Sequence, residues 1–180
     1  MVAAARGTAS LVIGDRRAAH YFDFGMRGLA GSFIAFLVAT LFNAFLPILL
    51  GVKQPTGSIA QGLIMVCLLY ALQIGFSALV LRQLKRLDGL VPYLVADNWV
   101  TFFVTILSAL IAAFGLGSDL ALIVVGILVI VIEINISRLI VTLSPLQIAM
   151  FLISQLVAVS IGLIVIGAIM PLPPGVTPPL

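Results

Sequence analysis

Glu133 is the residue of this 180-residue chain whose position is most unusual for its chemical type. It lies in an apolar run with thirteen leucine, isoleucine and valine residues between Leu120 and Ile136. Together these residues contribute about −4 to −8 kcal/mol to the free energy of membrane insertion, whereas one acidic residue contributes about +3 kcal/mol. The run can therefore enter a bilayer with its carboxyl group, which must face other helices or a wet cavity. That position suits a proton or cation relay.

Other polar residues in apolar runs complete a candidate intramembrane polar site, which comprises Glu133, Asn43, Gln73 and Gln155. Two interpretations stay open. The amides either line a pathway with Glu133 or serve as hydrogen-bonding contacts between helices, which is the commoner use of such residues. Glu133 itself either acts in a relay, or bonds to these amides or a loop group, or lies near enough to the membrane surface to reach Arg138.

Motifs for enzymatic chemistry and for cofactors are absent from the sequence. The single histidine, His20, precedes the first apolar run, so no pair of intramembrane histidines is available for haem and none for a metal. No serine–histidine pair in the spans, HExxH motif or glycine-rich phosphate loop is present. We expect a protein that is not an enzyme and binds no cofactor.

The composition predicts that the solvent of this protein is the bilayer. Hydrophobic residues make up 63% of the chain and charged residues 8%, with a mean hydropathy of +1.33. Soluble domains carry about 25% charged residues. Because backbone groups inside lipid must pair within helices or a closed barrel, and these runs lack the alternation of barrel strands, the fold class is all-α. The fold is a polytopic transmembrane helical bundle.

About five spans are predicted from runs long enough to cross the hydrocarbon layer, which takes about 20 helical residues. They cover residues 29–51, 59–81, 99–117, 120–138 and 146–170. Residues 1–28 are expected to form a cytoplasmic, interfacial segment without a removable signal peptide. The proline-rich tail 171–180 is expected to be extended or disordered.

Charge placement predicts the sidedness of the bundle. With five spans, eight of the nine lysines and arginines fall on one side, and only Lys53 falls on the other. Positive loops favour the cytoplasm, so the N-terminus is expected there, in a multi-pass protein of a bacterial inner membrane. The eight are Arg6, Arg16, Arg17, Arg27, Arg82, Lys85, Arg86 and Arg138. Topology thus accounts for the net charge of +3, and nucleic acid is not an expected partner.

Four residues are candidates for contact with lipid headgroups. Arg16, Arg17 and Arg27 are interleaved with aromatic residues before the first span, and Trp99 opens the third. Arginines that point outward beside aromatic rings are typical of an interfacial segment, and Trp is enriched at membrane boundaries. Membrane lipids are therefore expected partners.

Several short strings resemble uncharacterised multi-pass inner-membrane proteins of bacteria with a Yip-like, five-span architecture. The strings are Tyr21-Phe22-Asp23, Gly28, Gly31-Ser32-Phe33, Asn98-Trp99, Arg138 and Leu143-Ser144. The resemblance implies five spans, a cytoplasmic N-terminus and no established activity. It transfers no functional residue.

Two hypotheses for function follow from the sequence. The first is a non-enzymatic membrane scaffold or accessory subunit that binds lipids, other membrane-protein subunits or further copies of itself, because no chemistry is visible and little mass lies outside the spans. The alternative is a small homo-oligomeric transporter or channel with Glu133 in its pathway. An odd number of spans excludes a simple inverted repeat, which weighs against a transporter that works as a single chain.

Overall fold

The computed structural model describes residues 1–169, and its regular structure is helical. Its α-helices are α1 (Val2–Val12), α2 (Met26–Leu49), α3 (Ser58–Gln83), α4 (Leu90–Ala113), α5 (Asp119–Asn135) and α6 (Pro145–Ile169). One turn of π-helix, Ile136–Ile140, continues α5, and short 3₁₀ turns cover Ala18–Tyr21 and Leu87–Gly89. The predicted tail 171–180 lies outside the described residues.

Five of these helices are long and apolar enough to cross a membrane, so the all-α, five-span prediction is confirmed. The spans are Met26–Leu49, Ser58–Gln83, Leu87–Ala113, Asp119–Ile140 and Pro145–Ile169. The third differs from its predicted range, because α4 begins at Leu90 instead of near Trp99. Pro92 fits in the first helical turn, where its missing N–H has no intrahelical acceptor to lose. The polar residues Asp97 and Asn98 therefore lie inside the span.

Helix α1, within the predicted interfacial segment 1–28, packs against the bundle. Helix α1 buries Leu11 completely, and the neighbouring 3₁₀ turn buries Ala18. The Nδ2 of Asn135, at the end of α5, donates a 2.7 Å hydrogen bond to the carbonyl of Leu11. Gly7 lets the ring of Phe22 approach so closely that any side chain at residue 7 would collide with it. Tertiary contacts thus hold a helix that lacks the apolar run of a span.

Two helix pairs form the main contacts of the bundle: α2 packs along α4, and α3 packs along α6. Gly162 on α6 is buried against Leu69 and Leu72 of α3, and a Cβ atom at residue 162 would overlap the Leu69 side chain. Small residues allow this close approach between helices in lipid. Helix α5 lies at the side of the bundle, in contact with α1, α4 and α6.

The two ends of the bundle are packed differently. The N-terminal end, where α2, α4 and α6 begin and α3 and α5 end, contains most of the fully buried apolar side chains: Leu11, Leu81, Val95, Ile136 and Val141. The opposite end, here called the far end, has exposed helix termini such as residues 110–120. The rigid part of the fold therefore surrounds the N-terminal halves of α4 and α6 and the C-terminal half of α5.

Candidate functional site

Two acidic residues from different spans face each other inside the bundle. Asp97 of α4 and Glu133 of α5 lie within interaction distance of one another, and the Tyr93 hydroxyl is a further neighbour of Glu133. Asp97 lies seven residues after Leu90, where α4 begins, and Glu133 lies seven residues before Ile140, where the π-turn after α5 ends. At 1.5 Å per residue this places them about 10 Å along the span. We call Asp97 and Glu133 the carboxyl pair.

Gln73 of α3 holds the Asp97 side of the pair. Its Nε2 donates to the Tyr93 hydroxyl at 3.0 Å and to the Asp97 Oδ2 at 3.3 Å. Tyr93 and Asp97 are four residues apart on α4, so they lie one above the other on the same face of the helix. Because the Tyr93 oxygen accepts from Gln73, its own proton stays available for Glu133.

Gln155 of α6 approaches the same site through Ser77 of α3. The Ser77 hydroxyl donates to the Gln73 carbonyl at 2.7 Å, so its oxygen must accept the 2.6 Å bond from the Gln155 Nε2. This directionality fixes the Gln155 amide with its Oε1 atom turned away from Ser77. Helices α3, α4, α5 and α6 therefore all contribute to one polar cluster.

Two oxygen atoms of this cluster are buried without a hydrogen-bond partner: Glu133 Oε2 and Gln155 Oε1. Both residues line one cavity of about 290 Å³ between α5 and α6, together with apolar side chains of those helices. Leaving a buried acceptor unpaired costs about 1–3 kcal/mol. Because both atoms accept hydrogen bonds, the group that would satisfy them is a donor or a cation.

The positive side chains of the described residues do not neutralise the carboxyl pair. The ion pairs among residues 1–169 are Arg17 with Asp15 and Arg86 with Asp88. Arg138 is exposed on the π-turn, and it makes no salt bridge to Glu133. The lysines and arginines of the five spans lie at the span ends. Two acidic groups thus lie inside the bundle without a basic partner among the described residues.

A second polar chain occupies the neighbouring face of α4. The Tyr70 hydroxyl donates to the Asn98 Oδ1 at 2.9 Å, and the Asn98 Nδ2 donates to the Ser32 Oγ at 3.3 Å. The Ser32 hydroxyl in turn donates to the Leu29 carbonyl at 2.9 Å. Asn98 and Ser32 are completely buried. This chain is satisfied within the protein and ties α2, α3 and α4 together.

The structure brings together three of the four residues of the predicted polar site. Gln73, Gln155 and Glu133 belong to the cluster: Gln73 donates directly to Asp97, and Gln155 is joined to Gln73 through Ser77. Asn43 lies apart, exposed in the far half of α2, where it lines a different cavity between α2, α3 and α4. Asn43 is therefore not part of the polar cluster around the carboxyl pair.

The predicted interfacial residues occupy two environments. Arg16, Arg17 and Arg27 are exposed near the N-terminal end, as an orientation toward headgroups requires. Trp99 lies nine residues after the start of α4, in contact with Phe102 and Phe103, and is partly buried against the core. Its position about 13 Å along the helix is that of an internal packing residue.

Sequence reasoning missed Asp97 and Tyr93 because the predicted third span began after them. One signal was present. Tyr93, Asp97, Thr101 and Thr105 recur every four residues, which places a polar stripe that winds slowly around the helix and runs into the apolar segment.

Comparisons with known proteins identify no relative of this chain. No protein-family model matches it, and no curated protein and no solved structure matches it either. A function for this chain must therefore be inferred from the geometry and chemistry of the site itself.

Proposed function

We propose that this protein binds a proton or a small monovalent cation at the carboxyl pair and moves it across the membrane. The observation that carries the proposal is the juxtaposition of Asp97 and Glu133 inside the bundle without a basic partner. Acidic residues in spans are costly, and they commonly mark ion pathways and proton relays. A shared proton or bound cation would offset the repulsion between the two groups.

The surrounding groups support this ligand class. The Glu133 Oε2 and Gln155 Oε1 atoms are acceptors without donors beside the same cavity. Two carboxyl groups, one amide oxygen and the Tyr93 hydroxyl could coordinate a cation, or share a proton through a Tyr93–Glu133 contact. One turn of π-helix begins three residues after Glu133, and such turns are frequent at functional sites.

The scaffold hypothesis remains the second candidate, but its main support has weakened. It depended on the absence of a chemical constellation in the spans, and the carboxyl pair is such a constellation. It also depended on an interfacial segment at residues 1–28, within which α1 packs on α4 and α5. Exposed arginines at the N-terminal end still favour contact with anionic lipids, and a cytoplasmic N-terminus in a bacterial inner membrane remains part of our proposal.

Ion flux into proteoliposomes tests the proposal. Purified protein would be reconstituted into vesicles that contain a pH-sensitive dye or a dye selective for Na⁺ or K⁺, and an imposed ion gradient would drive uptake. We expect flux of one of these ions above that of empty vesicles. Glu133→Gln and Asp97→Asn should each abolish it, because each removes one acidic group from the pair.

Asp119→Asn is the matched control, since Asp119 is exposed at the start of α5 and far from the pair. It should leave the flux unchanged. Flux that persists in both Glu133→Gln and Asp97→Asn would remove the carboxyl pair from the mechanism. Absence of flux for all three ions, together with a stable co-purifying membrane protein, would favour the scaffold hypothesis.

A further inference from the structure

A cavity with a partly polar lining lies in the far half of the bundle. This cavity measures about 310 Å³ and lies between α2, α3 and α4. Its polar lining consists of Thr40, Asn43, Thr101 and Thr105, and its remaining lining is uncharged. We call it the far vestibule.

A polar stripe on α4 connects the far vestibule to the carboxyl pair. Thr105 and Thr101 line the vestibule, and Asp97 and Tyr93 follow at the same four-residue spacing. Residues four apart on a helix share one face and are separated by about 6 Å along its axis. Asp97 therefore lies about one turn beyond the innermost threonine of the vestibule.

An aromatic pair connects the wall of the far vestibule to the buried polar residues of α4. Phe36 of α2 lines the vestibule and stacks on Tyr70 of α3, with ring centroids 4.1 Å apart and ring planes 20° apart. The Tyr70 hydroxyl donates to Asn98, the residue next to Asp97. Movement of this ring pair would change the separation between the vestibule and the residues around Asp97.

The N-terminal end is closed by direct contacts between its loops. The Arg86 guanidinium, after α3, donates to the Val141 carbonyl at 2.6 Å, the Thr142 carbonyl at 3.0 Å and the Thr142 hydroxyl at 2.6 Å. Val141 is completely buried, and a Cβ atom at Gly89 would collide with its side chain. The loops α3–α4 and α5–α6 are thus held together below the carboxyl pair.

From these contacts we infer that the carboxyl pair is reached from the far end, through the far vestibule, with the Phe36–Tyr70 stack as the constriction. The inference rests on the proposed function for its biological meaning, and it makes a separate claim about water access. Its ligand is the same proton or monovalent cation, which would enter with water along Thr105 and Thr101.

Accessibility of engineered cysteines tests this route without measuring transport. In a Cys67→Ser background, Thr105→Cys, Thr101→Cys and Ser137→Cys would each be exposed to a membrane-impermeant cationic thiol reagent from one side at a time. Ser137 is completely buried at the N-terminal end, so it serves as the matched position on the closed side. We expect modification at residues 105 and 101 from the far side, and none at residue 137 from either side.

A second variant tests the constriction. Adding Phe36→Ala to Asp97→Cys, where residue 97 lies beyond the stack, should accelerate modification from the far side about fivefold, because one aromatic stacking contact is lost. Phe45→Ala on the same helix, where the ring is exposed, should leave the rate unchanged.

Modification of residue 101 only from the N-terminal side, or of residue 105 from neither side, would overturn the inferred route. Equal rates with and without Phe36 would overturn the role of the stack. If residues 101 and 105 react as expected while no ion flux is found, the route stands and the transport proposal fails.

Discussion

Asp97 on α4 and Glu133 on α5 lie against each other in the membrane-spanning part of the protein, 36 positions apart in sequence (133 − 97). Gln73 orients Asp97 and Tyr93, while Gln155 approaches through Ser77 and shares a cavity with Glu133. Carboxyl groups are rare inside membrane-spanning helices and are usually paired there. Two facing carboxyl groups without a basic partner therefore call for a functional explanation.

Replacing Glu133 with Gln should stabilise the protein while it abolishes ion flux. The amide removes one of two facing acidic groups and supplies a donor for Asp97, in place of a buried acceptor that has no partner. We expect the free energy of unfolding to rise by about 1 kcal/mol or more. Thermal unfolding in detergent, followed by circular dichroism, measures this change. A clearly less stable variant would indicate that Glu133 is a structural residue.

Replacing Arg86 with Gln should open the N-terminal end. The variant loses hydrogen bonds from the guanidinium to Val141 and Thr142, which are worth about 1.5–3 kcal/mol when one partner is charged. We expect lower thermal stability and faster hydrogen exchange in the α5–α6 loop. Arg82→Gln is the control, because Arg82 is exposed on the last turn of α3. Equal effects of the two substitutions would show that the Arg86 contacts contribute little.

Replacing Asn135 with Ala should release α1. The substitution removes the Asn135 donor from the buried Leu11 carbonyl, which keeps only the 3.2 Å bond from the Gly14 N–H, so we expect a cost of about 0.5–1.5 kcal/mol. Limited proteolysis with trypsin should then cut after the exposed Arg6 much faster than in the native protein. Asn43→Ala, in the far half of α2, should not alter this cleavage. Unchanged protection in Asn135→Ala would mean that apolar contacts alone hold the helix.

The sidedness predicted from charge can be measured with reporter fusions. Reporters placed at Lys53, Lys85 and Leu180 should be outside, inside and outside the cell, because five spans alternate the sides and the basic loops favour the cytoplasm. The opposite pattern would mean that the N-terminus lies outside the cell, and the far vestibule would then open to the cytoplasm. A pattern with Lys53 and Lys85 on the same side would contradict the five-span topology.

The five spans could be predicted because each needs only a long apolar run, which the sequence displays directly. Helix α1 could not, since its stability comes from contacts such as Asn135 with Leu11, more than a hundred residues away. The sequence did not predict the first turns of α4 as helix, for another reason. Pro92, Asp97 and Asn98 are typical of a loop, and only burial against α3 and α5 gives these polar groups partners inside a span.

The same limits applied to the candidate site. Glu133 was visible because it interrupts an apolar run, and Gln73 and Gln155 were visible as isolated amides. Their grouping depends on which helix faces are in contact, and the sequence of one chain does not encode that as a local pattern. Asn43 is also an isolated amide in an apolar run, yet it lines a different cavity.

Infrared difference spectroscopy of the reconstituted protein tests the central claim most directly, because it detects protonation or cation binding at carboxyl groups themselves. Spectra would be recorded during exchange between acidic and neutral buffer, and between buffers with and without Na⁺ or K⁺. We predict a carboxyl signal in one of these exchanges that disappears in both Asp97→Asn and Glu133→Gln and persists in Asp119→Asn. Spectra that are the same in all four proteins would contradict the binding of a proton or monovalent cation at the carboxyl pair.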